Sequence, residues 1–366
     1  MDDVRDELRE TTRQLFAKEL PLESAVERSG LDTGPAADWG PLWRRVTTDL
    51  GVTAVAVDEA HGGLGLGLAE MAVVLEEAGR ALSPLPLVDA AVAAVVLRDV
   101  APDLLPAVAA GSAIVAVDLG VRDVGDVGPT TAVSFLTEAV VAGAGATHLL
   151  TWPSPRQAVV VAVDAPGVTR RSTTSIDPTR DTVRLELDRV LPDVVVPDPV
   201  GLLRRTALAV RRLGSALDSV GAARVCLDVA VEHAGSREQF GKPIGSFQAV
   251  KHACAEMLLA LETAVSTADA AARTAVDPAA PDFAVAAALA HDYCSRSFEL
   301  VAAQTIQVLG GIGFTWEHPA HLFLKRARVN GLLGGAGVDV RRELAAHLGL
   351  GPVDTGSSAA FPALST

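Results

Sequence analysis

The chain has 366 residues, of which 49% are hydrophobic, and a formal net charge of -14 at pH 7. A chain of this length holds two or three globular domains with ample buried cores. The acidic balance argues against nucleic acid or an anionic membrane as the main partner, because either would favour a basic face.

Cysteine usage and the first residues predict a cytoplasmic protein. Cys226, Cys254 and Cys294 are an odd number scattered through helical segments, which is typical of reduced thiols rather than of a disulfide or metal framework. The N-terminus is a charged amphipathic helix without the apolar core of a signal peptide, and no later apolar run approaches the roughly 20 residues of a spanning helix. The sequence therefore predicts neither export nor membrane insertion.

Residues 1 to about 110 predict a helical domain with one glycine-rich interruption, His61-Gly-Gly-Leu-Gly-Leu-Gly. The spacing does not match the G-x-G-x-x-G of dinucleotide-binding folds, and no β-branched strand leads into it. We therefore predict a tight turn that lets two helices approach, followed by an apolar-striped segment from Leu68 to Leu82.

From about 111 to 198 the pattern changes to short runs rich in Val, Ile and Leu, separated by Gly, Pro, Asp and Ser. This pattern predicts a small β domain. The predicted strands are Ala113–Val117, Thr131–Leu136, Ala158–Val163, Val183–Leu187 and Val194–Val196.

From about 199 to 350 the helical period returns, and long helices with short connections predict an antiparallel bundle. In the break between the first two helices, Gly241 is predicted to end one helix and Ser246 to cap the next. The third helix is predicted to begin at Pro281.

The third helix is predicted to stop at Gly310-Gly311, since glycine commonly follows a helix end. Residues 351 to 366 show no periodicity and are predicted to be a flexible tail.

The break from Arg237 to Lys251 gathers an arginine, a glutamine and two aromatic rings beside a helix N-terminus. Such a place suits a phosphate-bearing aromatic ligand, because backbone N–H groups and a guanidinium both favour phosphate.

Two motifs resemble the flavin-contacting segments of the acyl-CoA dehydrogenases. Arg237-x-Gln-Phe-Gly-Lys-Pro-Ile-Gly, followed by Gln248, is similar to the family's first flavin turn. Gln307-Val-Leu-Gly-Gly-Ile-Gly-Phe is similar to its second, and weaker similarity extends over most of the chain. The resemblance implies a mainly α fold with a small β middle domain between an N-terminal helical domain and a C-terminal four-helix bundle that drives oligomerisation.

The resemblance also implies FAD as the cofactor and gives the two motifs a role across a subunit interface, where they contact a neighbour's FAD. Arg237 would take the pyrophosphate, and Phe240 and Ile244 would pack against the flavin. The alternative for Arg237 is a surface ion pair with Glu238 or Glu232. The expected cofactor-binding residues are Arg237, Gln239, Phe240, Ile244, Gln248, Gln307, Gly310 and Gly311.

The family's catalytic glutamate has no counterpart at either of its two usual places. One place follows the basic segment Lys325-Arg-Ala-Arg and holds Gly334, and the other lies in the helix before the first motif and holds Arg211. A base in this chemistry needs a carboxylate in an apolar pocket, where desolvation raises its pKa. The nearest acidic residues are Asp339, Glu343 and Asp218, each interpreted as part of a solvated helix face, with Asp339 the strongest of the three.

Two further segments bear on the chemistry. The family's middle-domain loop, Thr-Glu-Pro-x-x-Gly-Ser-Asp, contributes to its flavin and acyl-CoA sites and is replaced here by Asp118-Leu-Gly-Val-Arg-Asp-Val-Gly. Trp316-Glu-His-Pro-Ala-His lacks a third convergent ligand motif, so it is interpreted as a helix start rather than a metal site.

Three functions remain open at this point. The chain is a self-sufficient acyl-CoA dehydrogenase with an unrecognised base, or a base-less subunit that completes the FAD site of a catalytic homologue, or a flavin-free binding or structural relative. The intact flavin motifs argue against the third, and the loss of both glutamate positions and the middle-domain loop favours the second. The expected partners are an acyl-CoA thioester, a homo- or hetero-oligomer with a homologue, and an electron-transfer protein.

Overall fold

The computed structural model describes residues 2–30, 38–125, 127–128, 130–141 and 145–350. The tail predicted for residues 351–366 lies outside the described residues. Within the described ranges, no helix is both long enough and apolar enough to cross a membrane.

The N-terminal part is helical. Its helices are α1 (Asp2–Glu19), α2 (Ala25–Arg28), α3 (Gly40–Thr48), α4 (Leu68–Arg80), α5 (Leu87–Val100) and α6 (Leu105–Ala109). Helices α4 and α5 are mostly apolar and lie in the main hydrophobic core. The more polar α1 packs on α4 through three arginine–glutamate pairs, Arg5–Glu70, Arg9–Glu76 and Arg13–Glu77.

The glycine-rich segment before α4 forms the predicted tight turn, but against a different neighbour. A Cβ placed on Gly63 would lie 2.0 Å from the carbonyl oxygen of Val57, so only glycine fits there. The Leu64 N–H donates to the Ala54 carbonyl at 2.8 Å. The turn therefore folds back on the preceding non-helical segment and does not separate two approaching helices.

The middle part is a sandwich of two sheets. The strands are β1 (Val115–Val121), β2 (Val133–Leu136), β3 (Val140–Val141), β4 (His148–Ser154), β5 (Gln157–Ala162), β6 (Val168–Ser172), β7 (Thr182–Val190) and β8 (Val194–Pro197). One sheet has the order β1-β4-β5-β8, with β1 and β4 parallel. In the other sheet, β7 pairs with β2 and β3 along one edge and with β6 along the opposite edge. A second hydrophobic cluster lies between the sheets.

The predicted strands all occur, with shifted ends, but the sequence prediction missed β3, β4 and β6. Strand β6 is mostly exposed and lacks the apolar alternation that marks a half-buried strand. Strand β4 contains Pro153, a residue that is uncommon inside a sheet because it cannot donate to the ladder.

The C-terminal part consists of α7 (Leu202–Ser236), α8 (Gln248–Thr274), α9 (Pro281–Leu309), α10 (Ala320–Leu333) and α11 (Gly337–His347). Helix α9 begins at Pro281 and ends before Gly310-Gly311, as predicted. Because α7, α8 and α9 run up, down and up, the end of α7, the start of α8 and the end of α9 meet at one end of the bundle. The predicted domain boundaries stay a prediction.

A buried polar network joins the three parts. The Arg326 guanidinium on α10 donates to the Ser83 carbonyl at 2.7 Å and lies 3.4 Å from Asp177 and 3.5 Å from Asp218. Arg180 pairs with Asp218 at 2.8 Å, and the Asn330 side-chain amide donates to the same carboxylate at 2.7 Å. These contacts fix the C-terminal helices against both preceding parts.

The three cysteines are free thiols in the structure. Cys226 and Cys294 are buried, and burial raises the pKa of each, that of Cys294 to about 12. The Cys294 thiol donates to the Ala264 carbonyl at 3.3 Å. Both therefore pack as small apolar groups, as predicted.

Candidate functional site

The break between α7 and α8 is a small β-hairpin rather than a simple helix end. Strands β9 (Glu238–Gln239) and β10 (Lys242–Pro243) pair across a two-residue turn formed by Phe240 and Gly241. Both turn residues are left-handed, with φ of +55° and +73°, which is the geometry of a type I′ turn. The prediction that Gly241 ends the helix was therefore wrong.

The predicted cap at Ser246 was also wrong. Helix α7 already ends at Ser236, and Ser246 lies in a 3₁₀ turn after the hairpin. The N-cap residue of α8 is Phe247, and no side chain caps that helix. The hairpin and the 3₁₀ turn therefore replace the cap motifs that the sequence favoured.

The hairpin, the start of α8 and the end of α9 enclose an open cavity of about 940 Å³, which we call the hairpin groove. It is lined by residues of both sequence motifs, Arg237, Gln239, Phe240, Ile244, Gln307, Gly310 and Gly311. Gln248, the first residue of α8, is exposed and is not among the lining residues. Seven of the eight residues predicted from the sequence thus share one concave surface.

Arg237 supplies a cation to this groove. Its side chain is exposed, and in the described residues it forms no ion pair with Glu238, Glu232 or any other carboxylate. The alternative of a surface ion pair is therefore not observed. A guanidinium in this state offers its donors to an anionic ligand.

The two glycines at the end of α9 leave the groove wall open. Gly310 has φ of +64°, a conformation that favours glycine, and ends the helix. A Cβ added to Gly310 or Gly311 would meet nothing within 4 Å. The backbone is therefore accessible to a ligand at this edge.

Three large aromatic side chains are exposed in a chain that is only 4% aromatic; Phe240 lines the groove, and Phe314 and Trp316 follow the Gly310-Gly311 wall along the chain. Phe240 is 90% exposed, Phe314 78% and Trp316 56%. The Lys325 ammonium lies 4.7 Å from the centre of the Trp316 ring. Such a group of exposed rings is typical of a surface that contacts a ligand or another protein.

Two histidines in the groove were missed by sequence reasoning. His233 lies in the last turn of α7, four residues before Arg237, and both residues line the groove. His318 enters from the segment before α10, and its Nδ1 accepts the Ala320 N–H at 3.1 Å. The helix start predicted for this segment is confirmed, because α10 begins at Ala320.

A second cavity lies where α4, α5, β1 and α7 meet, and we call it the interdomain crevice. It measures only about 50 Å³. Its lining includes Asp89, Val117, Arg180, Arg211, Asp218 and Leu333. Space of this size holds on the order of a few water molecules.

An ion pair crosses the crevice from α7 to α5. The Arg211 Nη2 donates to Asp89 Oδ1 at 3.0 Å and to the Val117 carbonyl at 2.6 Å. The Val117 N–H donates to Asp89 Oδ2 at 3.1 Å. Arg211, at one of the two family positions for the glutamate, therefore links the helices to the sheet.

Gly334, at the other family position, has no room for a side chain. A Cβ there would lie 2.8 Å from the Cγ of Arg212 and 2.8 Å from the ring of His291. The Gly334 carbonyl accepts the Nε–H of Arg212 at 2.9 Å. Both family positions are therefore built into the surrounding packing.

The acidic candidates occupy three different environments. Asp339 is exposed and pairs with Arg342, as expected for a solvated helix face. Glu343 is half-exposed and pairs with the buried Arg212 at 2.7 Å. Neither residue lines the crevice.

The solvated-face interpretation was wrong for Asp218, which is 3% exposed and lines the crevice. Burial alone would raise the pKa of Asp218, but Arg180 and Arg326 outweigh burial and lower it. Two arginines converge on this position because α7 packs against α10 and against the loop that carries Arg180.

Sequence reasoning missed Asp89, a second buried carboxylate in the crevice. Burial raises the pKa of Asp89, and the opposing effect of Arg211 is smaller. An aspartate in the first turn of an apolar helix, three residues after Pro86, was the available signal, but it is equally typical of a helix start.

The loop that replaces the family's middle-domain motif is organised by one arginine. Arg122 pairs with Asp118 at 2.7 Å, donates to the Leu136 carbonyl at 3.2 Å and lies 4.8 Å from the centre of the Phe135 ring. The Arg122 and Asp118 side chains of this loop are therefore engaged with the protein itself. Among the residues that the structure describes, no group of three or more His, Cys, Asp or Glu side chains could hold a metal ion.

Two family models match this chain, one over its N-terminal part and one over its C-terminal part. Residues 2–101 match the model of the acyl-CoA dehydrogenase N-terminal domain, and residues 202–348 match that of the acyl-CoA dehydrogenase C-terminal domain. The chain is 34% identical over 343 residues to acyl-CoA dehydrogenase IpdE2 of Mycobacterium tuberculosis, covering 93% of this chain and 96% of IpdE2.

Two other similarities are relevant. The chain is 39% identical over 320 residues to acyl-CoA dehydrogenase FadE34 of Mycobacterium tuberculosis; the match covers 86% of this chain and only 43% of FadE34. The ChsE4-ChsE5 complex of the same organism has a chain that superposes with a TM-score of 0.79 at 26% identity, covering 96% of this chain and 98% of the other.

Proposed function

The chain belongs to the acyl-CoA dehydrogenase family, and from that membership we propose that it is a subunit without a catalytic base. The family's members are flavoproteins that bind FAD. In the proposed assembly, a catalytic homologue binds the acyl-CoA thioester and performs the α,β-dehydrogenation. This chain completes the homologue's FAD site with its hairpin groove.

The observation that carries the proposal is the closed interdomain crevice. Dehydrogenation needs a carboxylate beside the α-carbon of the thioester and space for the acyl group. Arg211 and Gly334 stand where the family keeps that carboxylate, and the Arg211–Asp89 pair crosses the remaining space. A substrate that entered would have to separate this buried pair, which leaves both charges uncompensated and opposes its binding.

The hairpin groove, by contrast, suits the ADP half of FAD. Arg237 offers a two-pronged donor to a diphosphate, Gly310 and Gly311 expose backbone, and Phe240 offers a ring face. The Arg122-centred loop and the small crevice do not fit the flavin ring. Bound FAD supplies the acceptor for the hydride that leaves the acyl group, and this chain's contribution would be to hold its far end.

A mixed oligomer is supported by one of the similar structures. The ChsE4-ChsE5 structure is a complex, and one of its chains aligns with nearly all of this chain. The exposed rings Phe240, Phe314 and Trp316 give this chain a surface that a homologue could cover.

The proposal is tested by producing the chain alone and together with a homologue encoded nearby. FAD per chain is measured for both preparations, and flavin bleaching without oxygen is followed with straight-chain, branched and ring-bearing acyl-CoAs. For the chain alone we expect less than one FAD per chain and no bleaching. For the mixture we expect a full complement of FAD and bleaching by at least one acyl-CoA. Rapid bleaching by the isolated chain would refute the base-less assignment.

Arg237 provides a sharper test of the groove. Arg237→Ala should lower the FAD content of the mixed oligomer, with a loss on the order of 1.5–3 kcal/mol in binding free energy for a charge-assisted contact. Arg237→Lys should restore only part of the FAD content that Arg237→Ala loses, because an ammonium lacks the planar fork of a guanidinium. Arg44→Ala, which removes an exposed arginine from α3, is the matched control and should leave FAD content unchanged.

A second candidate function rests on Asp89. This buried carboxylate lines the crevice and has a raised pKa, so it is placed to act as a base if the pair with Arg211 opens on substrate binding. The chain would then be a self-sufficient dehydrogenase. In that case the isolated chain, supplied with FAD, would be reduced by an acyl-CoA, and Asp89→Asn would abolish the reduction while preserving the fold.

A further inference from the structure

The charged and titratable side chains that line the hairpin groove are His233, Arg237 and His318, and no carboxylate is among the lining residues. The Lys242 ammonium lies 4.4 Å from the centre of the Phe247 ring, which also lines the groove. In a chain with a net charge of -14, this groove therefore presents an arginine and two imidazoles without a lining carboxylate.

The two imidazoles are held without acidic partners. His318 accepts the Ala320 N–H at Nδ1, so its proton is on Nε2 when the ring is neutral. Neither His233 nor His318 forms an ion pair with a carboxylate in the described ranges. Burial lowers the pKa of His318, and the neighbouring His233 lowers it further. Without a ligand, the site therefore disfavours the doubly protonated state.

An anionic ligand reverses this balance, because a nearby negative charge favours the imidazolium form. A diphosphate held by Arg237 lies within the same groove as both rings. Binding would then be accompanied by proton uptake, and the affinity would depend on pH across the range in which histidine titrates.

We propose that His233 and His318 form, with Arg237, a proton-linked diphosphate site that holds the ADP half of the cofactor more tightly as the pH falls from 8 to 6. This inference rests on the proposed function and adds to it two binding residues and a pH dependence. The ligand chemistry is a nucleotide diphosphate diester, whose own charge is constant over this range.

The test uses the full chain and ADP-ribose, which carries the ADP half without a flavin ring and whose diphosphate is esterified at both ends. Calorimetric titrations at pH 6, 7 and 8, in two buffers of different ionisation enthalpy, give the affinity and the number of protons taken up. We expect proton uptake and binding about tenfold tighter at pH 6 than at pH 8, which corresponds to about 1.4 kcal/mol.

Histidine variants distinguish the contribution of the two imidazoles from that of the other groove residues. His233→Gln and His318→Gln should each reduce the pH dependence, and the double variant should bind with an affinity independent of pH. His347→Gln, at an exposed histidine of α11, should behave as the parent.

Each result decides the matter. Binding that is independent of pH in the parent chain, yet lost in Arg237→Ala, would overturn the proton-linked site and leave the proposed function standing. Absence of ADP-ribose binding at every pH would refute the diphosphate site. The proposed function would then be tested separately, by the FAD content of the mixed oligomer.

Discussion

At the residue scale, the environment of a charged group matters more than its presence in the sequence. Asp218 and Asp339 both lie on helices, but Asp218 is buried between two arginines and Asp339 faces solvent. Arg211 is engaged with Asp89 and Val117, whereas Arg237 remains available. These differences separate a structural charge from one that a ligand can use.

His291 gives a prediction at this scale. It is 1% exposed, and burial together with the nearby Arg212 lowers its pKa to about 4. The unfolded chain takes up a proton on this residue near pH 6.5, whereas the folded chain does so only near pH 4. The contribution of His291 to the free energy of unfolding is therefore fully present above pH 6.5. It is lost as the pH falls towards 4, by about 3 kcal/mol over the whole interval.

The measurement is urea unfolding at pH 7.5, 6 and 5. His291→Gln should show a smaller loss of unfolding free energy on acidification than the parent, and His347→Gln should not. Parallel pH profiles for His291→Gln and the parent would mean that His291 is already protonated or exposed in the folded chain.

At the scale of secondary-structure elements, the hairpin between α7 and α8 bears a conformational cost at an exposed position. Phe240 adopts a left-handed conformation, which costs a non-glycine residue about 1–2 kcal/mol, and its ring gains almost no burial within this chain. Within the described residues its ring contacts Phe247 edge to face, with 6.0 Å between the ring centres, and this contact leaves the ring 90% exposed. We therefore expect Phe240 to contact a group outside the chain, in or beside the hairpin groove.

Phe240→Asn tests this interpretation, because Asn-Gly is the preferred pair for a type I′ turn. The variant should keep or raise the thermal unfolding midpoint of the isolated chain while lowering FAD content and association with the homologue. Val276→Asn, at a residue that is 89% exposed after α8, should change none of these. A lower midpoint with unchanged association would show that the ring serves the single chain.

At the scale of the whole molecule, a buried network of charged side chains joins the N-terminal, middle and C-terminal parts. Arg326 and Asp177 are each 0% exposed, and the arginine contacts groups from all three parts. Removing one member of a buried network leaves the others uncompensated, which typically costs more than the network contributes over an apolar core.

Arg326→Met should therefore lower the free energy of unfolding by about 3–5 kcal/mol. Arg328→Met is the matched control two residues along the same helix, where the arginine is exposed and pairs with the half-buried Glu299. We expect that control to cost no more than about 1 kcal/mol. Equal losses in urea unfolding for the two variants would show that the network does not stabilise the assembly of the three parts.

The sequence alone predicted the order of helical, β and helical segments, which follows from local periodicity. The resemblance gave the two motifs a common role, and the structure shows why they meet: helices of alternating direction bring the end of α7 and the end of α9 to the same end of the bundle. The hairpin at Phe240-Gly241 was not foreseen, because Gly241 after a helical pattern equally indicates a helix end.

Only the tertiary structure decided the state of the crevice. Asp89 and Arg211 are 122 residues apart and lie in different parts of the chain, and Arg212 and Gly334 are also 122 apart, on α7 and just after α10. The first contact depends on how the N-terminal helices pack on the bundle, and the second on how helices pack within it. Periodicity reports which face of a helix is buried, but not which charge lies opposite. The groove followed from local signals near the helix ends, whereas the closed crevice arises from long-range ion pairs that no local pattern encodes.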